Sequence, residues 1–323
     1  MLSVALLGYG HIGKRHAAVI RSIAGASLVA ICDEDASVKP AEADKDIPWF
    51  TSIEALLQSG IEFELASIAT PNGLHEANAL QFLQAGKHVL IEKPMALSSA
   101  GCNRIIQAAA HFNKQVFCVM QNRYAPAAQW LKGILEQKLL GSIYLVQINC
   151  FWNRDARYYT GKGWHGNKEL DGGTLFTQCS HFVDSLYWLF GDIDNIQSTF
   201  GNFSHRRLIE FEDTGLIQFD LKSGGKGSFQ YTTSVYDRNL ESSMTIIAEN
   251  GTVKIAGQYM DEVTVCHIRD YQLPELEPSV VSHHTQVYEN LIITLNGKQA
   301  SVTNAADGMK VVEIVERMYG GNV

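Results

Sequence analysis

LLGYGHIGKRH, residues 6–16, decides the fold. It holds Gly8, Gly10 and Gly13 in the spacing G-x-G-x-x-G, directly after the apolar run SVALLG (3–8). A stretch of helical periodicity, 12–23, follows it. The glycine spacing alone is a weak signal. A strand before it, a helix after it and an acid further on make it a dinucleotide fingerprint. That acid is Asp33, 20 residues past Gly13 at the end of SLVAICD (27–33). Gly8 permits the tight turn, Gly10 lets a pyrophosphate approach the backbone, and Gly13 lets helix and strand pack closely. The helix N-terminus offers free N–H groups and a partial positive charge to the pyrophosphate. Asp33 is placed to accept hydrogen bonds from both ribose hydroxyls. A 2′-phosphate beside it would be repelled, and DEDASVKP (33–40) has no arginine to receive one. NAD is therefore expected over NADP.

Outward from this motif, apolar runs alternate with helical stretches. ELASIAT (64–70), HVLIEKP (88–94) and QVFCVMQN (115–122) read as strands, and 52–58, 75–86 and 98–113 as helices. Residues 34–50 read as polar and turn-rich. Such alternation implies right-handed βαβ units and a doubly wound parallel sheet. After residue 122 the pattern changes. A helix is expected over 127–137, then strands over 142–152, 195–203, 213–224, 227–235, 242–257 and 262–268. The fifth of these folds back at an Asn-Gly turn. Helices are expected over 176–191 and 305–318. The expected class is α/β, with a Rossmann domain over 1–122. An α+β domain with a large, mostly antiparallel sheet is expected over 123–323, its helices on one face.

Composition narrows the function classes. The chain has 323 residues, 46% of them hydrophobic and 19% charged, with a net charge of −8. No basic patch suggests nucleic acid or an anionic membrane as partner. No apolar run approaches the roughly 18 residues of a membrane span. MLSVALLGYG lacks the basic start of a signal peptide, so a cytoplasmic location is expected. The six cysteines are widely spaced, with no C-x-x-C pair and no Cys/His cluster. They read as buried thiols, and no metal is expected.

In a doubly wound sheet, ligands lie beyond the carboxyl ends of the strands. Three further strand tips are polar or carry proline: Thr70, Pro71, Asn72 and His75; Glu92, Lys93 and Pro94; Gln121, Asn122 and Arg123. One such tip is an ordinary solvated loop; the set outlines a site. Pro94 cannot donate to a sheet ladder, so it ends its strand. Lys93 can hydrogen-bond a substrate hydroxyl and hold positive charge near a developing alkoxide. Its plainer reading is a surface lysine paired with Glu92. In ELDGGTLFTQCSHFVDSLYWLFG (169–191), Thr177, His181, Asp184 and Trp188 share one helical face. His181, among Phe176, Phe182, Leu186 and Leu189, reads first as a satisfied core histidine. The glycines before it, and the lack of another candidate base, favour a general base for neutral pH. Arg154, Arg157, Tyr158 and Tyr159 are candidates to hold a carboxylate or phosphate, because arginine binds such groups bidentately.

GYGHIGKRH, the strand-end Asp33, ATPNGLH (69–75), EKP (92–94) and the helix DGG…H…D…W…G together resemble the Gfo/Idh/MocA oxidoreductases, over nearly the whole chain. The resemblance implies a second domain that binds substrate and joins copies into a homodimer or homotetramer through its sheet. It implies that Lys93 and His181 flank the substrate. It carries NAD contacts to Gly8, Gly10, His11, Ile12, Gly13, Asp33, Thr70, Pro71, Asn72, His75, Glu92, Lys93, Pro94, Gln121 and Trp164, with Glu92 by the nicotinamide or its ribose. Substrate contacts fall on Lys93, Asn122, Arg123, Arg154, Arg157, Tyr158, Tyr159, Gln178, His181 and Asn239. Many members carry an aspartate four residues before the histidine; this chain has Thr177, so Lys93 and His181 must share the proton chemistry.

A narrower likeness lies in QNRYAPAAQ (121–129) and in 151–184, 212–219 and 236–255. These stretches are similar to the WlbA-type UDP-N-acetyl-glucosaminuronate 3-dehydrogenases. That implies oxidation of a sugar C3 hydroxyl, giving a 3-keto nucleotide sugar for a following aminotransferase in O-antigen or other surface-polysaccharide synthesis. The chain departs from the subgroup at His165, in GWHGN, where arginine is expected. Its close at GGNV (320–323) is shorter than the subgroup leads one to expect. The alternatives are a UDP-N-acetylglucosamine 3-dehydrogenase, a free hexose or inositol dehydrogenase, and an NAD-binding regulator without chemistry. Intact Lys93 and His181 speak against the last.

Overall fold

A computed structural model describes the chain except residues 36, 39, 162, 280, 299, 300 and 321–323. Two residues of DEDASVKP and most of GGNV thus lie outside the described residues. The chain forms two compact units. One joins Met1–Met120 to His284–Val312, and the other joins Gln121–His283 to residues 313–323.

The first unit holds β1 (Leu2–Leu7), α1 (His11–Ser22), β2 (Ala26–Cys32), β3 (Trp49–Phe50), α2 (Ile53–Gln58), β4 (Leu65–Ile68), α3 (His75–Gln84), β5 (His88–Ile91), α4 (Ser99–His111) and β6 (Val116–Cys118). The strands form one sheet in the order β3-β2-β1-β4-β5-β6. Every described pairing in it is parallel. This is the doubly wound order, whose direction reverses between β1 and β4. Strand β4 is buried throughout, as a sheet covered on both faces requires. Ser52 and Ser98 cap α2 and α4 by accepting the N–H groups of Ala55 and Gly101.

Strand β3 was not expected. Two residues give no alternation to read, yet it pairs Trp49 with Ile31 and Phe50 with Cys32. The polar stretch before it is also anchored. Buried Asp44 accepts hydrogen bonds from Arg21 and from the Tyr9 hydroxyl.

The second unit holds α5 (Pro126–Glu136), β7 (Ile143–Phe151), α6 (Ala156–Tyr159), α7 (Lys168–Asp171), α8 (Thr174–Thr177), α9 (Ser180–Phe190), β8 (Ile193–Gly201), β9 (Thr214–Leu221), β10 (Lys226–Thr232), β11 (Glu241–Ala248), β12 (Gly251–Ala256) and β13 (Glu262–Ile268). Its sheet runs β13-β12-β11-β7-β10-β9-β8. The expected strands are present, but the sheet is mixed, because β10 lies parallel to β7. The long crossover from β7 through the helices makes that possible; a tight hairpin can make only an antiparallel pair.

The single helix expected over 176–191 is two. Helix α8 ends at Thr177, and Cys179 stands as N-cap of α9. Thr177 therefore does not continue the face that carries His181. A helix at α10 (His283–Leu295) was not expected either. His284, Val287, Tyr288 and Leu291 are buried at helical spacing, a signal diluted by the β-branched run IIT. Helix α11 (Ala305–Met318) ends the regular structure as expected.

Candidate active site

Register places the first unit's site. Cys32, Leu7, Ile68, Ile91 and Cys118 form one row across β2, β1, β4, β5 and β6. The next residue of each strand is Asp33, Gly8, Ala69, Glu92 and Val119. One edge of the sheet thus carries the glycine turn, the acid, the Thr70 turn and the EKP segment.

The glycines are required sterically. Gly8 has φ +86°, and a Cβ there would lie 2.6 Å from the Ala69 carbonyl oxygen. A Cβ on Gly13 would lie 2.0 Å from the Gly8 carbonyl oxygen. Gly10 is different: nothing within 4 Å opposes a Cβ. It stands as N-cap of α1 with no capping side chain. An open backbone, an uncapped helix start and no acid in the first turn suit a pyrophosphate. His11 and Ile12 lie in that first turn. The Asp33 carboxylate accepts the Tyr9 N–H at 2.6 Å and the Asp35 N–H at 2.9 Å, which fixes it beside the glycine turn. These residues fit a bound NAD.

At the next tips, Thr70 donates its hydroxyl to Asn78 at 2.8 Å. Pro71 stands as N-cap of a single 3-10 turn that buried Asn72 opens. His75 is fully buried, with its ring nitrogens 2.7 Å from the Pro94 carbonyl and 2.9 Å from the Thr70 carbonyl. It ties two tips together, and burial lowers its pKa. Glu92 is buried, and its Oε2 accepts the Lys93 N–H at 3.2 Å. The Lys93–Pro94 peptide is cis.

In the second unit, a cluster forms around Arg154. Its Nε donates to Gln178 at 2.8 Å, and Gln178 donates to the Tyr158 hydroxyl at 2.7 Å. A second guanidinium nitrogen lies 3.3 Å from Asn239 Oδ1. The guanidinium sits 4.7 Å from the centre of the Trp152 ring, and that ring stacks on His181 at 5.5 Å. His165 stacks on Tyr158 at 4.2 Å and touches Trp164 at 4.0 Å. Arg154, Tyr158, Gln178, His181 and Asn239, expected from sequence as substrate contacts, stand together here, with Trp164, expected as an NAD contact, beside them. Trp152 is the addition, and His165, noted in sequence as a departure from the subgroup, also lies here. Burial pushes the Tyr158 phenol up to about 12, so it stays a hydrogen-bond donor at neutral pH.

Other expected residues sit differently. Arg157 is exposed and paired with Asp155. Tyr159 is buried. Arg123 and Asp184 are each about 1% exposed and form a buried ion pair, with Nε at 3.1 Å from both carboxylate oxygens. Thr177 donates its hydroxyl to Asp171, which also accepts the Gly166 N–H at 2.8 Å. Gln121 and Asn122 open a 3-10 turn, Gln121–Tyr124. The Asn122 amide is buried, with no hydrogen-bond partner for its oxygen or nitrogen among the described residues.

Among the described residues, no helix is long and apolar enough to cross a membrane. The doubly wound sheet, its glycine turn and a polar, aromatic cluster beside a helix-borne histidine define an NAD-binding oxidoreductase. The chain belongs to the Gfo/Idh/MocA family: residues 2–120 match that family's NAD-binding Rossmann model, and residues 128–254 match its C-terminal domain. It is similar to the WlbA dehydrogenase of Bordetella pertussis, solved with NADH and UDP-GlcNAcA. Identity is 33%, coverage is 99% of this chain and 95% of that one, and the TM-score is 0.89. The corresponding enzyme of Chromobacterium violaceum, solved with the same two ligands, is 32% identical, with coverage of 98% and 92% and a TM-score of 0.89. An uncharacterized oxidoreductase of Synechocystis is 29% identical over 68% of this chain, which spans 62% of that relative's length.

Proposed function

We propose that the chain is an NAD-dependent dehydrogenase that oxidises the C3 hydroxyl of UDP-N-acetyl-glucosaminuronic acid to a ketone. The observation that carries this reading is the joined cluster of Arg154, Gln178, Tyr158, Trp152 and His181. It offers a cation for a carboxylate or phosphate, neutral donors for sugar hydroxyls and an imidazole in reach of an aromatic platform. The unpartnered Asn122 amide supplies further hydrogen-bonding capacity. The likeness to two dehydrogenases solved with UDP-GlcNAcA supports the substrate class.

Bound NAD supplies the hydride acceptor. Asp33 would hold its ribose, and the α1 N-terminus its pyrophosphate. Lys93 and His181 share the proton chemistry: either the neutral amine of Lys93 accepts the hydroxyl proton as the C–H bond breaks, or His181 accepts it while the ammonium of Lys93 stabilises charge on the oxygen. Thr177 takes no part, since it is neutral and bound to Asp171. Copies of the chain associate through the open face of the second sheet, where Leu216 and Ile247 are 55% and 41% exposed.

The test is NADH formation, followed by absorbance, with UDP-GlcNAcA, UDP-N-acetylglucosamine and myo-inositol offered separately. UDP-GlcNAcA is expected to give the highest kcat/KM. Lys93→Ala and His181→Ala are each expected to lower it at least about a hundredfold. The reading is overturned by turnover of myo-inositol alone, or by two variants within about tenfold of the parent enzyme.

A further inference from the structure

Five polar side chains distant in sequence converge at the tip of β5. Glu92 Oε1 lies 2.8 Å from His16 Nε2 and 3.6 Å from His284 Nε2. Its Oε2 accepts the backbone N–H of Lys93. His16 Nδ1 lies 2.8 Å from the Tyr288 hydroxyl, which is in turn 2.8 Å from the Ser67 hydroxyl. All five are buried. His16 comes from the helix that follows the glycine turn and Ser67 from β4. His284 and Tyr288 stand one turn apart on α10.

The directions of these bonds follow from charge. Burial raises the Glu92 pKa, but hydrogen bonds from His16 and His284 outweigh it and hold the carboxyl well below its ordinary range. Burial lowers the His16 pKa more than Glu92 raises it. Ionised Glu92 can only accept, so His16 donates from Nε2. With His16 neutral, as burial favours, Nδ1 accepts from Tyr288, and the Tyr288 oxygen is left to accept from Ser67. The bonds then run in one direction from Ser67 to the Glu92 carboxylate, which accepts the backbone N–H of Lys93 from the other side.

His16, Glu92 and His284 also have ligand atoms within 4.8 Å of one another, as a metal site would. The 2.8 Å between His16 and Glu92 is a hydrogen-bond distance. Two ligands about 2.0 Å from one tetrahedral zinc would stand about 3.3 Å apart. A buried ionised carboxylate is a poor choice for stability alone, since an apolar group of similar size often stabilises more. Its place next to Lys93 gives it another use.

We propose that Tyr288 and His16 are positioning residues that act through Glu92 to fix the backbone of Lys93 and hence the place of its ammonium. This rests on the role assigned to Lys93 above. Tyr288→Phe removes one hydroxyl and keeps the ring; Glu92→Gln keeps shape and removes charge. With UDP-GlcNAcA, kcat is expected to fall at least about tenfold in Glu92→Gln and about threefold in Tyr288→Phe, while the sugar KM stays within about twofold. Nitrogen-15 NMR of histidine-labelled protein is expected to show His16 protonated at Nε2, with both ring shifts moved in Tyr288→Phe. Unchanged kcat in both variants, losses confined to KM, or His16 protonated at Nδ1 would each overturn the proposal. If Glu92→Gln does not fold, Tyr288→Phe decides alone. If the parent enzyme oxidises none of the sugars, the functional reading fails by itself. The backbone amide shift of Lys93 in Tyr288→Phe then decides the positioning: displacement supports it and an unmoved resonance overturns it.

Discussion

The glycine turn shows how little freedom single positions have. A methyl at Gly13 would meet the Gly8 carbonyl oxygen at 2.0 Å, and Gly8 already holds a φ of +86°. Neither backbone can yield without moving β1 or α1. Gly13→Ala is therefore expected to destabilise the chain by about 2 kcal/mol or more and to abolish NADH binding. Thermal unfolding and NADH fluorescence titration check the two effects. Asp33→Ala removes the acceptor of the Tyr9 and Asp35 N–H groups. It is expected to weaken NAD affinity at least about tenfold and to narrow the preference over NADP, read by titration with both. These positions were legible because their chemistry is set by near neighbours in sequence. His16 was not legible. Its partners come from positions 67, 92, 284 and 288, and spacing carries no trace of them.

Among the elements, the region from Asp171 to Phe190 departs most from expectation. Periodicity proposed one helix, since Phe176, Phe182, Leu186 and Leu189 suit a buried helical stripe. Gly172 and Gly173 adopt φ of +89° and +124°, and the chain then makes one short turn before α9 starts afresh. The break leaves Thr177 to hydrogen-bond Asp171 and puts His181 in the first turn of the next helix. Asp184, also on α9, binds Arg123 with both side chains removed from water. Replacing one partner strands the other charge. Arg123→Met is expected to cost about 3–5 kcal/mol, and the double variant Arg123→Met with Asp184→Leu to recover most of it. Urea unfolding of the four-member cycle measures the coupling. A double variant less stable than Arg123→Met alone would contradict this account.

Across the whole molecule, buried ionisable groups make stability depend on acid. Burial holds the His16, His75 and His88 pKa values below the ordinary 6.5. The folded chain keeps them neutral while the unfolded chain takes up protons, so stability falls as pH drops below about 6.5. Glu92 acts in the same direction lower down: its contribution is present above 4.5 and lost as pH falls toward its folded pKa. Glu212 opposes them, because burial raises its pKa and favours the protonated form. With three histidines against one carboxyl, the urea midpoint is expected to fall between pH 7.5 and 5.5. Association is tested separately. Leu216→Lys with Ile247→Glu is expected to reduce the apparent mass in light scattering without altering the NADH affinity.

The sequence was sufficient for the parts built by short-range rules. The glycine fingerprint, Asp33, the strand–helix alternation, the EKP tip and the hairpin at Asn250–Gly251 all depend on residues within one βαβ unit or one turn. Sterics and backbone hydrogen bonding act at that range, so spacing records them. The long-range arrangement did not follow from those rules. The parallel pairing of β10 with β7, the return of α10 to the first unit, the Arg123–Asp184 pair and the chain of bonds from Ser67 to Glu92 join residues tens to hundreds of positions apart. Their partners are chosen by burial, since a polar group taken from water must find whatever complement the packed chain brings within about 3 Å.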